Sequence, residues 1–141
     1  MVSYAVLIFS SRDPLAKILI IDDEITFRTL TDRQLTRLGY DVSLADNGWN
    51  GLELYRREHP DVILLDVNMP GMDRIEVLKQ IRTVDRKQPV IVLTGVRSPQ
   101  MERQMRALGV SEFLIKDSSL RLLEETVKRF FAAPTSTTRC H

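Results

Sequence analysis

The sequence VILLDVNMPGMD at residues 62–73 decides the fold, because a fully apolar run stops at an acid. Four consecutive aliphatic residues are typical of a central strand in a parallel sheet that helices cover on both faces. Similar short runs recur along the chain, separated by stretches of helical period. The five runs are residues 18–21, 42–45, 62–65, 90–93 and 113–115. The second and fifth are the least continuous, as in edge strands, and the alternation predicts an α/β fold with five parallel strands and five helices.

Helical periodicity between the strands predicts which side chains face the core. The first stripe is Phe27, Leu30, Leu35 and Leu38, followed by Gly39, which is expected to end its helix. A short helix is predicted around residues 49–57. The remaining stripes are Ile75, Leu78 and Ile81; Met101, Met105 and Leu108, with Ser98 as cap and Pro99 as first helical residue; and Leu120, Leu123, Val127 and Phe130.

Composition bounds the class of protein. The chain has 141 residues, the usual size of one domain, and its 43% hydrophobic and 28% charged residues are ordinary for a globular protein. A net charge of +1 gives no general attraction to nucleic acid or to an anionic membrane. The single cysteine, Cys140, excludes an intrachain disulfide and a cysteine-ligated metal cluster, which fits a reducing cytoplasm.

The two ends differ from the middle of the chain. Residues 1–15 are expected to be an N-terminal extension, because the apolar run at 4–9 lacks the preceding basic residue and the small-residue cleavage site of a secretory signal. Its role is left open by the sequence. Residues 16–131 form the predicted domain. The polar residues from Pro134 onward predict that 132–141 are a flexible tail or the start of a linker.

Acidic side chains follow two of the predicted strands. Asp22 and Asp23 come after the first strand and Asp66 after the third, and the carboxyl ends of parallel strands meet at one edge of a sheet. Three carboxylates in one place raise one another's pKa unless a cation neutralises them. Oxygen ligands with no His or Cys nearby suit Mg²⁺. The sequence therefore predicts a Mg²⁺ site at this edge.

A carboxylate beside such a metal can act as a nucleophile toward phosphorus, and Asp66 is the central candidate. Phosphoryl transfer mainly needs positioning and positive charge around three phosphoryl oxygens. Lys116, after the fifth strand, supplies charge, and Thr94, at the end of the fourth, offers a hydroxyl donor. The set predicts an aspartyl phosphate on Asp66.

These motifs, in this order, resemble the receiver domain of bacterial response regulators. The resemblance rests on Asp22 and Asp23 after an apolar strand, the sequence DVNMPGMD at 66–73, Thr94 with Gly95, and Lys116. It covers about residues 16–131. It implies a CheY-like, doubly wound sheet in the strand order 2-1-3-4-5. It also implies a signalling domain, which catalyses only its own Mg²⁺-dependent phosphorylation and dephosphorylation.

The resemblance assigns the metal site by position. Asp66 would be the phosphoacceptor and a metal ligand. Asp23 and the backbone carbonyl of Asn68 would bind Mg²⁺ directly, and Asp22 partly through water. Mn²⁺ would be able to substitute, and no organic cofactor is implied.

The resemblance also implies how a phosphoryl group would be detected. Thr94 and Lys116 would contact it, and the small Gly95 would leave room for it. Phe113, three residues before Lys116, would be the switch aromatic that turns inward when Thr94 moves toward the phosphoryl group.

Partners follow from the same resemblance. The phosphoryl donor would be a sensor histidine kinase or a histidine phosphotransfer protein, docking mainly against the first helix. Output would occur by protein–protein contact with an unidentified target in the cytoplasm. No nucleic-acid-binding module and no membrane segment are expected, and a homodimer through the C-terminal helices is left open.

Two positions depart from the family pattern. Asp117 follows Lys116 where relatives have a cis proline, so a trans bond is expected, with Asp117 turned outward to cap the last helix. Arg74 stands where many relatives have glycine, so a requirement for positive φ is either absent or strained. Asp117 supports the alternative function, a receiver-like interaction module that is independent of phosphorylation or that only relays phosphate.

Overall fold

The computed structural model describes residues 15–67, 74–95, 98–116 and 120–137, with side chains as far as residue 132. Within these ranges five strands alternate with five helices. They are β1 (Lys17–Ile21), α1 (Ile25–Arg37), β2 (Asp41–Ala45), α2 (Gly48–Glu58), β3 (Val62–Asp66), α3 (Arg74–Val84), β4 (Val90–Thr94), α4 (Pro99–Ala107), β5 (Glu112–Ile115) and α5 (Arg121–Thr137). Every predicted strand is present, with each end within one residue of its predicted position.

The strands form one parallel sheet in the order β2-β1-β3-β4-β5, which confirms the predicted fold class. β3 and β4 are buried along their whole length, as continuous apolar runs predict. β2 and β5 are the edges. Because β1 lies directly beside β3, with Ile21 opposite Leu65, the residues that follow Ile21 lie next to the end of β3.

Side chains alternate between the two faces of the sheet and form two cores. One face packs on α2, α3 and α4, and the other packs on α1 and α5. The first core includes Leu19, Ile21, Leu52, Leu78, Ile81 and Met105. The second includes Ile18, Ile20, Leu35, Leu123 and Val127. The predicted stripes of α3, α4 and α5 all contribute to these cores, which confirms them.

The predicted stripe of α1 was wrong for two of its four residues. Leu30 is 47% exposed and Leu38 is 37% exposed, whereas Thr31 is fully buried. The partly buried Phe27 and the buried Thr31 and Leu35 repeat every four residues, so the face that meets the sheet is turned away from Leu30. An apolar side chain is therefore left on the surface of this helix.

Two predicted helix boundaries are confirmed by local geometry. Gly39 has a φ of +99°, which glycine adopts without strain, directly after α1. At the start of α4 the Ser98 hydroxyl accepts a hydrogen bond of 3.3 Å from the Met101 amide, and Pro99 is the first helical residue.

Helix α5 continues to Thr137, so the backbone of residues 132–137 is helical where the sequence predicted a tail. Apolar packing holds the helix just before this segment. The ring of Phe131 packs on Tyr40 with centroids 5.2 Å apart, and Phe130 also contacts the second core. Over the described ranges, no helix has the length and apolar character needed to cross a bilayer.

Candidate functional site

Three carboxylates converge at the carboxyl edge of the sheet. Oxygen atoms of Asp22, Asp23 and Asp66 all lie within 4.8 Å of one another. Asp22 and Asp66 are buried, with 0% and 1% of their surface exposed, while Asp23 is exposed. The structure thus brings together the three acids that the sequence placed at one edge.

The backbone around Asp22 is fixed from several directions. Its amide donates to the carbonyl of Ala45 at 3.0 Å, which continues the β1–β2 pairing by one residue. Its carbonyl accepts a 2.7 Å hydrogen bond from Arg28, and its Oδ1 accepts one of 2.8 Å from the amide of Glu24. The turn after β1 is therefore held in a shape that points carboxylates toward β3.

Lys116 directly follows β5, the last strand along the chain, and its side chain joins this cluster. Its Nζ lies 2.9 and 3.1 Å from the two oxygens of Asp22 and 3.4 Å from Oδ2 of Asp66. It also lies 2.9 Å from Oε1 of Glu24 and 4.5 Å from the ring centroid of Phe27. Its side chain is only 9% exposed, so the ammonium is enclosed by three carboxylates and an aromatic face.

The pKa of Lys116 is raised above its ordinary value of 10.5. Burial acts in the opposite direction, because desolvation disfavours an ammonium, and it is the largest single influence. Hydrogen bonds to Glu24 and Asp22, together with the charges of Asp66 and Asp22, outweigh it. Lys116 is therefore a firmly charged cation beside Asp66.

One cation does not balance the acids around it. Oδ2 of Asp22 is buried and, although it lies 2.9 Å from Nζ, receives no hydrogen bond of good geometry from any described residue. Such an atom is expensive to bury without a partner. An unsatisfied carboxylate oxygen in an all-oxygen donor set fits a hard divalent cation such as Mg²⁺. The residues present therefore suit the predicted metal.

The remaining predicted residues lie around the cluster. Thr94 is the last residue of β4 and is 2% exposed, and its carbonyl accepts a hydrogen bond from the amide of Lys116. Phe113 is 8% exposed on β5, with the guanidinium carbon of Arg106 5.9 Å above its ring. The backbone thus ties Lys116, which follows β5, to Thr94 on β4, the strand next to that of Asp66.

Some predictions fall outside the described residues. Asn68, the expected carbonyl ligand, and Asp117, the expected departure beside Lys116, both lie there. Arg74 is described: it begins α3 without a positive φ, because His59 is the non-glycine residue with positive φ in the described ranges. The glycine requirement considered for position 74 is therefore absent.

The sequence did not predict which residues contact Lys116 and Asp22 from outside the acidic cluster. Glu24 and Phe27 contact Lys116, and Arg28 donates to the carbonyl of Asp22. The signal available was the acidic run of residues 22–24, which puts a third carboxylate at the same strand end. It did not indicate that this carboxylate would reach a lysine 92 positions further along the chain, the difference between 116 and 24.

The family model of the response regulator receiver domain matches residues 18–128. The chain belongs to this family. Receiver domains are phosphoaccepting signalling modules rather than conventional enzymes. They bind Mg²⁺ at an acidic pocket, and in response regulators they are phosphorylated by histidine kinases.

Relatives of this receiver domain differ in how much of their length it spans. It is 33% identical to sporulation initiation phosphotransferase F of Bacillus subtilis over 114 residues, which are 81% of this chain and 92% of the relative. It is 34% identical to the regulatory protein AtoC of Escherichia coli over 113 residues, which are 80% of this chain but 24% of that protein. The similarity therefore concerns the receiver domain in both cases.

Solved structures give the same result. The chemotaxis protein CheY4 of Vibrio cholerae superposes with a TM-score of 0.78 at 32% identity, covering 82% of this chain and 98% of that one. The response regulator TrrA of Thermotoga maritima, in complex with Mg²⁺-BeF, superposes with a TM-score of 0.75 at 29% identity, covering 82% and 99%. The CheY-like fold is thus shown by structure as well as by sequence.

Proposed function

We propose that this receiver domain accepts a phosphoryl group on Asp66 from a phosphohistidine, in a Mg²⁺-dependent reaction, and signals through protein contacts. The proposal rests on one observation. A buried carboxylate ends the central strand, within 4.8 Å of two further acids and with Lys116 Nζ at 3.4 Å. This is the combination of nucleophile, metal ligands and cation that phosphoryl transfer requires.

The reaction is a displacement at phosphorus. An oxygen of Asp66 forms the new O–P bond while the N–P bond of the donor phosphohistidine breaks, and the electron pair of that bond stays on the imidazole nitrogen. Asp66 is suited to attack because its neighbours fix its position and Lys116 lies beside it. Lys116 and the hydroxyl of Thr94 would each contact one oxygen of the transferring group.

Asp22, Asp23 and Asp66, with the backbone carbonyl of Asn68, would hold Mg²⁺. When bound, the metal neutralises the carboxylates and offsets charge on the phosphoryl oxygens. Asp22 is prepared for this role by the turn after β1, and its Oδ2, which has an ion-pair contact with Lys116 but no hydrogen bond from a described residue, can also coordinate a metal. Asp23 is exposed, so its carboxylate is in contact with solvent and would exchange a water molecule for the metal ion.

The donor is proposed to be a sensor histidine kinase or a histidine phosphotransfer protein that docks against α1. Two apolar side chains of this helix support this, because Ile25 is 65% exposed and Leu30 is 47% exposed. Ile25 begins the helix immediately after the acidic turn, so a protein bound there would lie beside that turn. Phe113 is proposed as the residue through which modification of Asp66 is transmitted.

A relay role is the second candidate. It is favoured by the match along 92% of a phosphotransferase of sporulation, because that relative offers little beyond the receiver domain itself. In a relay the phosphoryl group of Asp66 would pass on to a histidine of another protein. A module that works without phosphorylation is the third candidate, and the experiment below separates it from the other two.

The test is incubation with acetyl phosphate and Mg²⁺, followed by intact-mass measurement. The unsubstituted chain is expected to gain one phosphoryl group, and Asp66→Asn is expected to gain none. Asp46→Asn is the matched control, because Asp46 also follows a strand but bonds to Asn47 and Asn50 instead of joining the acidic cluster. It should be phosphorylated normally.

Each result discriminates between the candidates. An added mass on Asp66→Asn equal to that of the unsubstituted chain would contradict Asp66 as the acceptor. Absence of modification in every sample would favour the phosphorylation-independent module. Loss of the modification when EDTA replaces Mg²⁺ would establish the metal requirement.

A further inference from the structure

Glu24 occupies the N-cap position of α1 but its side chain does not cap the helix. Its backbone is held on both sides. The amide donates to Oδ1 of Asp22 at 2.8 Å, and the carbonyl accepts from the amide of Arg28 at 3.0 Å. The side chain is directed instead to Lys116, with Oε1 at 2.9 Å from Nζ. Among the described residues, Lys116 is the polar partner of the Glu24 carboxylate.

The three carboxylates that surround Lys116 differ in exposure. The side chains of Asp22 and Asp66 are 0% and 2% exposed, whereas that of Glu24 is 58% exposed. Glu24 is also outside the cluster of acids that suits a metal ion. It is therefore the one of these three partners that water can solvate after release, and it lies outside the proposed metal site.

An ammonium group has three protons to donate. In this structure Asp22 and Glu24 each hold Nζ of Lys116 at 2.9 Å, whereas Asp66 lies at 3.4 Å, so a phosphoryl oxygen on Asp66 can approach Nζ closely only if Nζ moves away from Asp22 or Glu24. Releasing Asp22 would leave a buried charge without its cation, whereas releasing Glu24 would not, because Glu24 returns to solvent. The phosphoryl group is therefore expected to displace Glu24, and not Asp22, from Lys116.

We propose that Glu24 is a positioning residue that competes with the phosphoryl group for Lys116 and so weakens the phosphorylated form of the site. This inference rests on the proposed function, since it concerns the same lysine and the same acceptor. A partly exposed ion pair contributes modestly, so removing the competition is expected to strengthen binding of a phosphoryl mimic by about two- to fivefold.

The experiment measures the affinity for beryllofluoride, in the presence of Mg²⁺, by isothermal titration calorimetry. Glu24→Gln keeps the length of the side chain and removes its charge. Glu24→Asp keeps the charge but shortens the reach, which breaks the direct contact. Glu53→Gln is the matched control, because it removes the same charge from an exposed position on α2. Thermal unfolding of each variant checks that it is folded.

Tighter binding by both Glu24→Gln and Glu24→Asp, with Glu53→Gln unchanged, is the expected result. If Glu24→Asp behaves like the unsubstituted chain, the effect is one of general charge and the competition for Lys116 is refuted. Equal affinities for all four proteins also overturn it. Failure of the unsubstituted chain to bind beryllofluoride would instead contradict the proposed function itself, and with it this inference.

Discussion

Lys116 and Arg82 are two cations at opposite ends of the parallel strands, and different kinds of oxygen hold them. Lys116, at the carboxyl edge, is surrounded by side-chain carboxylates. Arg82, near the start of β4 and β5, donates to four backbone carbonyls. Its acceptors are those of Leu108 at 2.6 Å, Gln88 at 2.9 Å, Gly109 at 3.0 Å and Asp85 at 3.1 Å. One cation is held by charge and the other by fixed dipoles.

The pKa values of the two cations shift in opposite directions. Burial lowers the pKa of Arg82 and is not fully offset by the charges of Asp85 and Tyr55. Burial also acts on Lys116, but there the carboxylates reverse its effect and raise the pKa. Backbone carbonyls accept hydrogen bonds without carrying a net negative charge. Side-chain carboxylates accept hydrogen bonds and also carry that charge.

The difference separates a cation with fixed partners from one with exchangeable partners. The carbonyls around Arg82 belong to the backbone and cannot be exchanged, so Arg82 fixes the ends of α3 and α4 relative to each other. The partners of Lys116 are side chains that can be released or coordinated by a metal. A cation with replaceable partners is suited to a changing ligand.

The largest expected effect is on stability and comes from Arg82→Met. Loss of the guanidinium leaves several carbonyls without donors, and we expect a decrease in the free energy of unfolding of roughly 2–4 kcal/mol. Urea denaturation measures it. Arg86→Met, a few residues away on the surface, is the control and should change little. Equal stability of both variants would mean that the carbonyls are satisfied by water.

With Mg²⁺ present to neutralise the buried carboxylates, Lys116→Met is expected to affect chemistry more than folding. Removing a preorganised positive group from a developing phosphoryl charge should slow phosphorylation by acetyl phosphate about 10²-fold. The rate is followed by intact-mass time courses with Mg²⁺. Lys79→Met, on the exposed side of α3, is the control. A rate unchanged by Lys116→Met would mean that Lys116, like Arg82, is only a structural residue.

The smallest effect concerns alkaline pH. Because the folded pKa of Lys116 is raised above 10.5, its contribution to stability is fully present below that pH and is lost as the pH rises through the folded value. The stability difference between the unsubstituted chain and Lys116→Met in EDTA should therefore shrink at strongly alkaline pH. Ionisation of Tyr40 and Tyr55 affects both proteins alike and cancels. A difference that stays constant above pH 10.5 would contradict the raised pKa.

The sequence was most informative where geometry leaves little freedom. Parallel strands require their carboxyl ends to meet, so the positions of Asp22 and Asp66 followed from apolar runs alone. Core stripes on α3 and α5 were also predictable, because apolar period and burial agree there. Assigning these residues to phosphoryl transfer depended on the family resemblance as well as on their chemistry.

Contacts that depend on helix rotation could not be predicted. The faces of α1 were misassigned because Thr31, a polar residue, occupies a fully buried position that the pattern gave to leucine. The ion pair of Glu24 with Lys116 depends on how the turn after β1 aims one side chain, which local sequence does not specify. The packing of the Phe131 ring on Tyr40 joins residues remote in sequence, which a local pattern does not specify.

The surroundings of Phe113 have a consequence for substitutions on α4. Its ring is 8% exposed, and the guanidinium carbon of Arg106 lies 5.9 Å from the ring centroid. A cation over an aromatic face adds a modest attraction to such packing. The same guanidinium donates to the carboxylate of Glu102 at 3.0 and 3.1 Å. A change of charge at Glu102 on α4 would therefore reach β5 through one side chain.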